Sequence, residues 1–164
     1  MTNAALLDRL AAIVGPSGLV TGDELRQRSA NWTRPTEPCA AFALVRPRST
    51  AETSAVMAAC HAAGVAIVPR GGATGLVDGT LCAPDEITLS TERMTGIEPV
   101  DPLGMTVVVG TGATLEGVQN AATEAGLFFP LDLGARGSAT IGGAISTNAG
   151  GLRVLRYEIG RAHV

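Results

Sequence analysis

The sequence predicts a mixed α/β (α+β) chain of two subdomains, and three observations carry that expectation. A strand–helix–strand order runs from Ala41 to Val68, the character of the chain changes near Gly96 to strands divided only by Gly, Pro and Asp turns, and glycines gather in two clusters. The first subdomain is expected over about residues 41–95 as a small β-α-β unit. The second is expected over about residues 96–157 as a mainly antiparallel sheet with helices, incomplete at its carboxyl end. The 164 residues are 46% apolar but only 3% aromatic, so the core has to be built from Ala, Val, Leu and Ile.

Before these subdomains, residues 1–40 read as one helix and an irregular lead-in. Leu6, Leu7, Leu10, Ile13 and Val14 recur at helical spacing from Asn3 to Val14, and Gly15-Pro16 stops them. Thr21 to Pro38 is polar and proline-interrupted, so an irregular loop is expected there, with Trp32 folded over the edge of the core. Ala41 to Val45 is a short buried strand. Ser49 with Glu52 has capping-box spacing and opens a helix through Val56 and Cys60 to Gly64. Val65 to Val68 is the next strand, which completes a parallel β-α-β unit of about 30 residues joined by a right-handed crossover.

After the first glycine cluster, Glu86 to Ser90 reads as a strand, Gly96 to Val100 as extended chain, and Met105 to Val109 as a β-branched strand. Thr114 caps a helix from Leu115 to Ala125, with Gly126 just past its end. Leu127-Phe128-Phe129 then leads into the second cluster, where Thr140 can cap a short helix through Ile141 and Ile145.

The first cluster is Pro69-Arg70-Gly71-Gly72-Ala73-Thr74-Gly75-Leu76. It stands at a strand's carboxyl end, where open α/β sheets bind ligands. Its glycines can take positive φ and admit a ligand close to the main chain, Thr74 adds a hydroxyl and Arg70 a cation, a combination suited to phosphate. The second cluster runs from Pro130 and Leu131 through Gly134, Gly137, Ser138, Thr140, Ile141, Gly142 and Gly143, and Asn148-Ala149-Gly150 follows. Two glycines inside a helix make sense where another backbone or a ligand comes within contact distance, and a helix start beside glycines suits an anion. Gly110-Thr111-Gly112-Ala113-Thr114-Leu115 falls short of a dinucleotide fingerprint because Leu115 stands where a small residue is required. Neither cluster ends in Gly-Lys-Ser/Thr, and Ser138 lies in no nucleophile elbow.

A net charge of −3 offers no basic stripe for nucleic acid. Cys39, Cys60 and Cys82 are widely spaced, which suggests reduced thiols, neither a disulfide framework nor a metal site. His61, in the last turn of its helix, is expected to be a helix-end residue. Charges at Asp8 and Arg9 break any signal-peptide core and no stretch is apolar enough to span a membrane, so a cytoplasmic location is expected.

The ordered series Val45-Arg46-Pro47-Arg48-Ser49-Thr50, Pro69 to Leu76, Leu89-Ser90-Thr91-Glu92-Arg93-Met94, Pro130 to Gly143 and Asn148 to Tyr157 resembles the FAD-binding domain (PCMH type) of the vanillyl-alcohol-oxidase superfamily. Within it the likeness is to D-2-hydroxyacid dehydrogenases: D-lactate and D-2-hydroxyglutarate dehydrogenases and glycolate oxidase flavin subunits. The resemblance implies that both clusters bind FAD at its pyrophosphate and towards the flavin. It also implies a full-length enzyme that passes hydride from a small 2-hydroxyacid to the flavin. Relatives that bind flavin covalently often do so through a histidine in the first loop; Ala73 there is unreactive, so a non-covalent cofactor is expected. The family's catalytic and metal-binding residues lie past this point, so no catalytic or metal residue is assigned, and the resemblance does not name an electron acceptor. A longer enzyme of this kind could also sit peripherally at a membrane. Glu158 to Val164 matches the in-frame translation of a common sequencing-library adapter, so residues 158–164 are expected to be an artefactual tail on a truncated chain. The alternative reading is a non-catalytic fragment that uses the loops for another phosphorylated ligand or only structurally.

Overall fold

The computed structural model describes residues 3–157; the tail expected at 158–164 lies outside them. These residues form two compact units that divide between Arg93 and Met94.

In the first unit, helix α1 (Asn3–Val14) leads through a single 3₁₀ turn to strand β1 (Leu19–Val20) and helix α2 (Gly22–Arg26). Strands β2 (Ser29–Asn31) and β3 (Arg34–Pro38) pair as an antiparallel hairpin, so much of the stretch expected to be irregular is ordered. Asn31 explains the turn: its side-chain oxygen accepts from the Thr33 hydroxyl at 2.8 Å and from the Arg34 amide at 2.9 Å. Trp32, at the hairpin tip, is 67% exposed and does not fold over the core.

Strand β4 (Ala43–Val45), helix α3 (Thr50–Ala63), strand β5 (Ile67–Arg70) and strand β6 (Ile87–Ser90) complete this unit. The Ser49 hydroxyl caps α3 by accepting from the Glu52 amide at 3.1 Å, and left-handed Gly64 (φ 69) ends it. The sheet order is β1-β4-β6-β5, with β4, β6 and β5 mutually parallel and β1 antiparallel. Thus β4 and β5 are parallel but not neighbours. All four residues of β6 are buried, so it takes the middle, whereas β5 carries Pro69, which cannot donate to a ladder and is tolerated at an edge.

The two faces of the sheet follow the period of two. Ala43, Val45, Ile87 and Leu89 face a core shared with Leu6, Leu10 and Val14 of α1 and Val56, Ala59 and Cys60 of α3. Leu44 points the other way, into a second cluster with Val20, Leu25, Cys39 and Ala41.

In the second unit, helices α4 (Leu115–Glu124), α5 (Ile141–Ser146) and α6 (Val154–Tyr157) accompany extended chain. The segment expected to be a strand at Met105 to Val109 pairs antiparallel with Ile97 to Asp101, but only through the bridges Ile97–Val109 and Asp101–Thr106. Met105 is left-handed (φ 51) and Val108 is 64% exposed, so the run is too irregular to form a continuous strand. The core here is small: Leu115, Leu131 and Ala144, with Phe129, Leu133, Ile141 and Ala149 packed around them.

Candidate functional site

The first glycine cluster begins on the last two residues of edge strand β5 and leaves the sheet at its carboxyl end. Pro69 is exposed on the strand, while Arg70 is 9% exposed and its guanidinium donates to the Ala30 carbonyl at 3.0 Å. Arg70 therefore braces the loop against the hairpin, and it makes no ion pair among the described residues. Half-buried Gly71, Gly72, Ala73 and Thr74 and exposed Gly75 follow, and none of these five successive amides donates to a protein acceptor among the described residues. The Thr74 hydroxyl likewise has no partner among the described residues. Amides in half-buried chain require a partner, so five open ones in a row form a row of donors that fits the charged oxygens of a phosphate. The left-handed residue of this loop is Ala73 (φ 53), not Gly75, and Leu76 is exposed.

What holds the loop open is the β2–β3 hairpin, a support that the sequence reading did not single out. The Trp32 amide donates to the Ala73 carbonyl at 3.0 Å, and the Thr80 hydroxyl to the Ala30 carbonyl at 3.2 Å. Asp78, also left-handed (φ 58), accepts from buried Asn31 at 2.7 Å and from Arg34 at 3.0 Å. Hydrogen bonds from Arg34 and then Asn31 hold the Asp78 carboxyl below the usual carboxylate range. The available signal was Asn31 followed by Thr33 in a turn-forming stretch.

The second cluster is wired differently. Ile141 and Gly142, at the start of α5, donate to the carbonyls of Ala113 and Thr111 at 2.9 Å each, and Gly143 donates to the capping Thr140 hydroxyl at 3.2 Å. These three amides, which the sequence offers to an anion, are satisfied inside the unit. Ser138 donates through its amide to the Ala135 carbonyl at 2.9 Å, and Leu131 is buried in the core. Gly134 and Gly137 are exposed, and a methyl group at Gly134 would meet nothing within 4 Å. Asn148 is left-handed (φ 50), and the Ala149 amide donates to the Ala144 carbonyl at 2.9 Å, with Gly150 half-buried beyond it. Pro130 is half-buried at the entry to the cluster. Leu131, Ile141 and Gly142 come together on the wall of an apolar hollow of about 400 Å³, with Val109, Val118 and Phe129.

Among the described residues no group of three or more His, Cys, Asp or Glu side chains could hold a metal ion, and no helix is long and apolar enough to cross a membrane. His61 is exposed near the end of α3.

A row of open amides at the carboxyl ends of parallel strands has the donor set that a phosphorylated ligand requires. Comparison places the chain in a family. Residues 41–164 match the model of the FAD binding domain family, and the chain belongs to that family. It is 41% identical over 153 residues to a mitochondrial D-2-hydroxyglutarate dehydrogenase of Bos taurus, covering 92% of this chain and 28% of that protein. It is 44% identical over 134 residues to the D-2-hydroxyglutarate dehydrogenase of Xanthomonas citri pv. viticola, covering 82% of this chain and 28% of that protein. The chain thus spans under a third of the length of these relatives. Among solved structures, alkyldihydroxyacetonephosphate synthase superimposes with a TM-score of 0.83 at 19% identity, over 96% of this chain and 31% of that one. The grass pollen allergen Phl p 4, which has glucose dehydrogenase activity, superimposes with a TM-score of 0.65 at 20% identity, over 84% and 30%. At that identity the two structures share the fold.

Proposed function

We propose that this chain is the cofactor-holding portion of a longer flavoprotein oxidoreductase that converts a D-2-hydroxyacid to the 2-oxoacid. D-2-hydroxyglutarate is the first candidate substrate, because both relatives described above carry that name; D-lactate and glycolate share its reacting group. The observation that carries the reading is the row of five open amides from Gly71 to Gly75. These amides and the Thr74 hydroxyl hydrogen-bond the pyrophosphate of FAD, and hydrogen bonds to ionised oxygens are about twice as strong as neutral ones. Arg70 positions the loop and adds buried positive charge beside it. In the second unit, Pro130, Leu131, Gly134, Gly137, Ser138, Thr140, Ile141, Gly142, Gly143, Asn148, Ala149 and Gly150 are the residues proposed to shape the cofactor's further contacts. Ile141, Gly142 and Gly143 serve there through shape, since their amides are already spent. Bound FAD supplies the hydride acceptor, and the chain's own work is to bind it and fix its orientation.

The cofactor is held non-covalently, consistent with Ala73 in the loop and with Cys82 turned towards Cys39 and Thr88. The base that takes the substrate's hydroxyl proton, the substrate pocket and the electron acceptor's docking site belong to the remainder of the longer protein. A cytoplasmic location is proposed, on the grounds of three free thiols and the absence of a membrane-crossing helix among the described residues.

The test is flavin-fluorescence titration of the purified chain and its Gly72→Ala and Gly75→Ala variants with FAD. A methyl group at Gly75 meets no protein atom within 4 Å, so folding should tolerate it while a ligand against the loop would not. The expected result is an affinity lowered by about tenfold or more with an unchanged melting temperature. Unchanged affinity in both variants would overturn the reading.

A further inference from the structure

Cys39 and Cys82 are 43 residues apart in sequence, yet their sulfurs stand 3.6 Å from one another. Thr88 of central strand β6 touches the same two side chains: its hydroxyl is 3.5 Å from the Cys82 sulfur and 3.6 Å from that of Cys39. Cys39 is buried just after β3, whereas Cys82 is half-buried, so Cys82 is the more accessible residue of the pair. Cys60 lies in the other cluster, on the α1–α3 side of the sheet. The chain therefore holds one thiol pair in contact and one isolated thiol.

The segments that carry the pair matter. Cys82 closes the stretch that begins with the open amides, and Cys39 leaves the hairpin that holds that stretch through Ala73, Asp78 and Thr80. A bond between the two sulfurs, already 3.6 Å apart, would add a covalent link where weak links already exist.

We propose that Cys39 and Cys82 form a reversible oxidation site that takes hydrogen peroxide as oxidant and staples the glycine-loop segment to the hairpin. In the first step the Cys82 thiolate attacks one peroxide oxygen and the O–O bond breaks. Cys82 becomes a sulfenic acid, and the departing hydroxide leaves as water with the thiol's proton. In the second step the Cys39 sulfur attacks the Cys82 sulfur; the S–S bond forms, the S–OH bond breaks, and a second water carries away the Cys39 proton. Two thiols lose two electrons and two protons, and one peroxide becomes two waters. A small dithiol reverses the reaction by exchange.

Burial raises the Cys82 thiol above its ordinary value; the Thr88 hydroxyl works against this, and neighbouring Cys39 adds to it. The first step is therefore slow at neutral pH and quickens as the pH rises towards the thiol's titration, as expected of a site that responds to sustained oxidation.

The experiment treats the purified chain with hydrogen peroxide at about pH 8.5, alkylates the remaining thiols in denaturant and reads the products by peptide mass spectrometry. The expected result is alkylation at Cys60 alone, a Cys39–Cys82 cross-linked peptide, and a melting temperature higher by several degrees, all reversed by dithiothreitol. Cys82→Ser, at the half-buried position, should abolish both the cross-link and the shift in melting temperature. Three alkylated cysteines would overturn the proposal. So would Cys82 oxidised to the sulfinic acid beside a free Cys39, or cross-links only between separate chains.

Discussion

Gly142 and Gly143 stand side by side in α5 and meet different surroundings. A methyl group on Gly142 would lie 2.8 Å from both the Cβ and the carbonyl oxygen of Thr111, closer than packed atoms allow. On Gly143 it would meet the capping Thr140 hydroxyl at 3.1 Å, a contact that a small side-chain shift relieves. The first glycine lets one backbone lie directly against another, a reason for glycine in a helix that does not depend on a ligand. Gly142→Ala is therefore expected to destabilise the chain by about 1–3 kcal/mol, the usual cost of overpacking. Gly143→Ala should change stability by less than about 1 kcal/mol, because the gain in helix propensity offsets the tight contact. Urea unfolding of the two variants side by side checks this, and equal losses would contradict the packing argument.

At the scale of elements, Glu92 ties together three segments distant in sequence. Arg28 precedes β2 and donates to Glu92 at 2.9 and 3.2 Å; Arg46 follows β4 and donates at 3.1 Å; Glu92 itself follows β6 and also accepts from the Ser90 hydroxyl at 3.0 Å. Burial pushes the Glu92 carboxyl up, but the hydrogen bonds from Arg46 and Arg28, the Arg28 charge and Ser90 outweigh it, and the net shift is downward. A carboxyl lowered by folding stabilises the folded chain above its unfolded pKa and loses that contribution as the pH falls through its folded value. Glu92→Gln should thus melt at a lower temperature than the parent at neutral pH, and the gap should close as the pH drops below the ordinary carboxylate range. Melting curves across that range check the sign; a gap that persists in acid would mean that the side chain acts through packing and not through its charge.

Across the whole molecule, the two units differ in how much core each owns. The first has two buried clusters on opposite faces of a four-stranded sheet. The second has one buried cluster, of Leu115, Leu131 and Ala144, with Ala113, Val118, Ala122 and Ala139 also buried, and it carries Leu103, Phe128, Ile145, Leu152 and Leu155 largely exposed. Local opening is easier where few apolar contacts must be broken. Amide hydrogen exchange should therefore be slowest in β4 and β6 and markedly faster in α4 and α5, and equal protection in the two units would refute the comparison.

The sequence by itself determined what local rules determine. Helix α1, the Ser49 and Thr140 caps and the ends at Gly64 and Gly126 were legible, because caps, glycine stops and apolar spacing act over a few residues. The open amides of the first loop were legible, because a strand followed by clustered glycines leaves amides without a ladder to join. Only the tertiary structure decided the rest. It placed β6 between β4 and β5, ordered Ser29 to Pro38 as the hairpin that braces Arg70 and Ala73, and left Trp32 outside the core. It also paired Thr111 and Ala113 with the amides of α5, which the sequence had offered to a ligand, and brought Cys39 to Cys82. The physical reason is the same in each case: an amide, a thiol or a strand edge carries its capacity to bond in the local sequence, but its partner is chosen by which distant segment packing brings within reach.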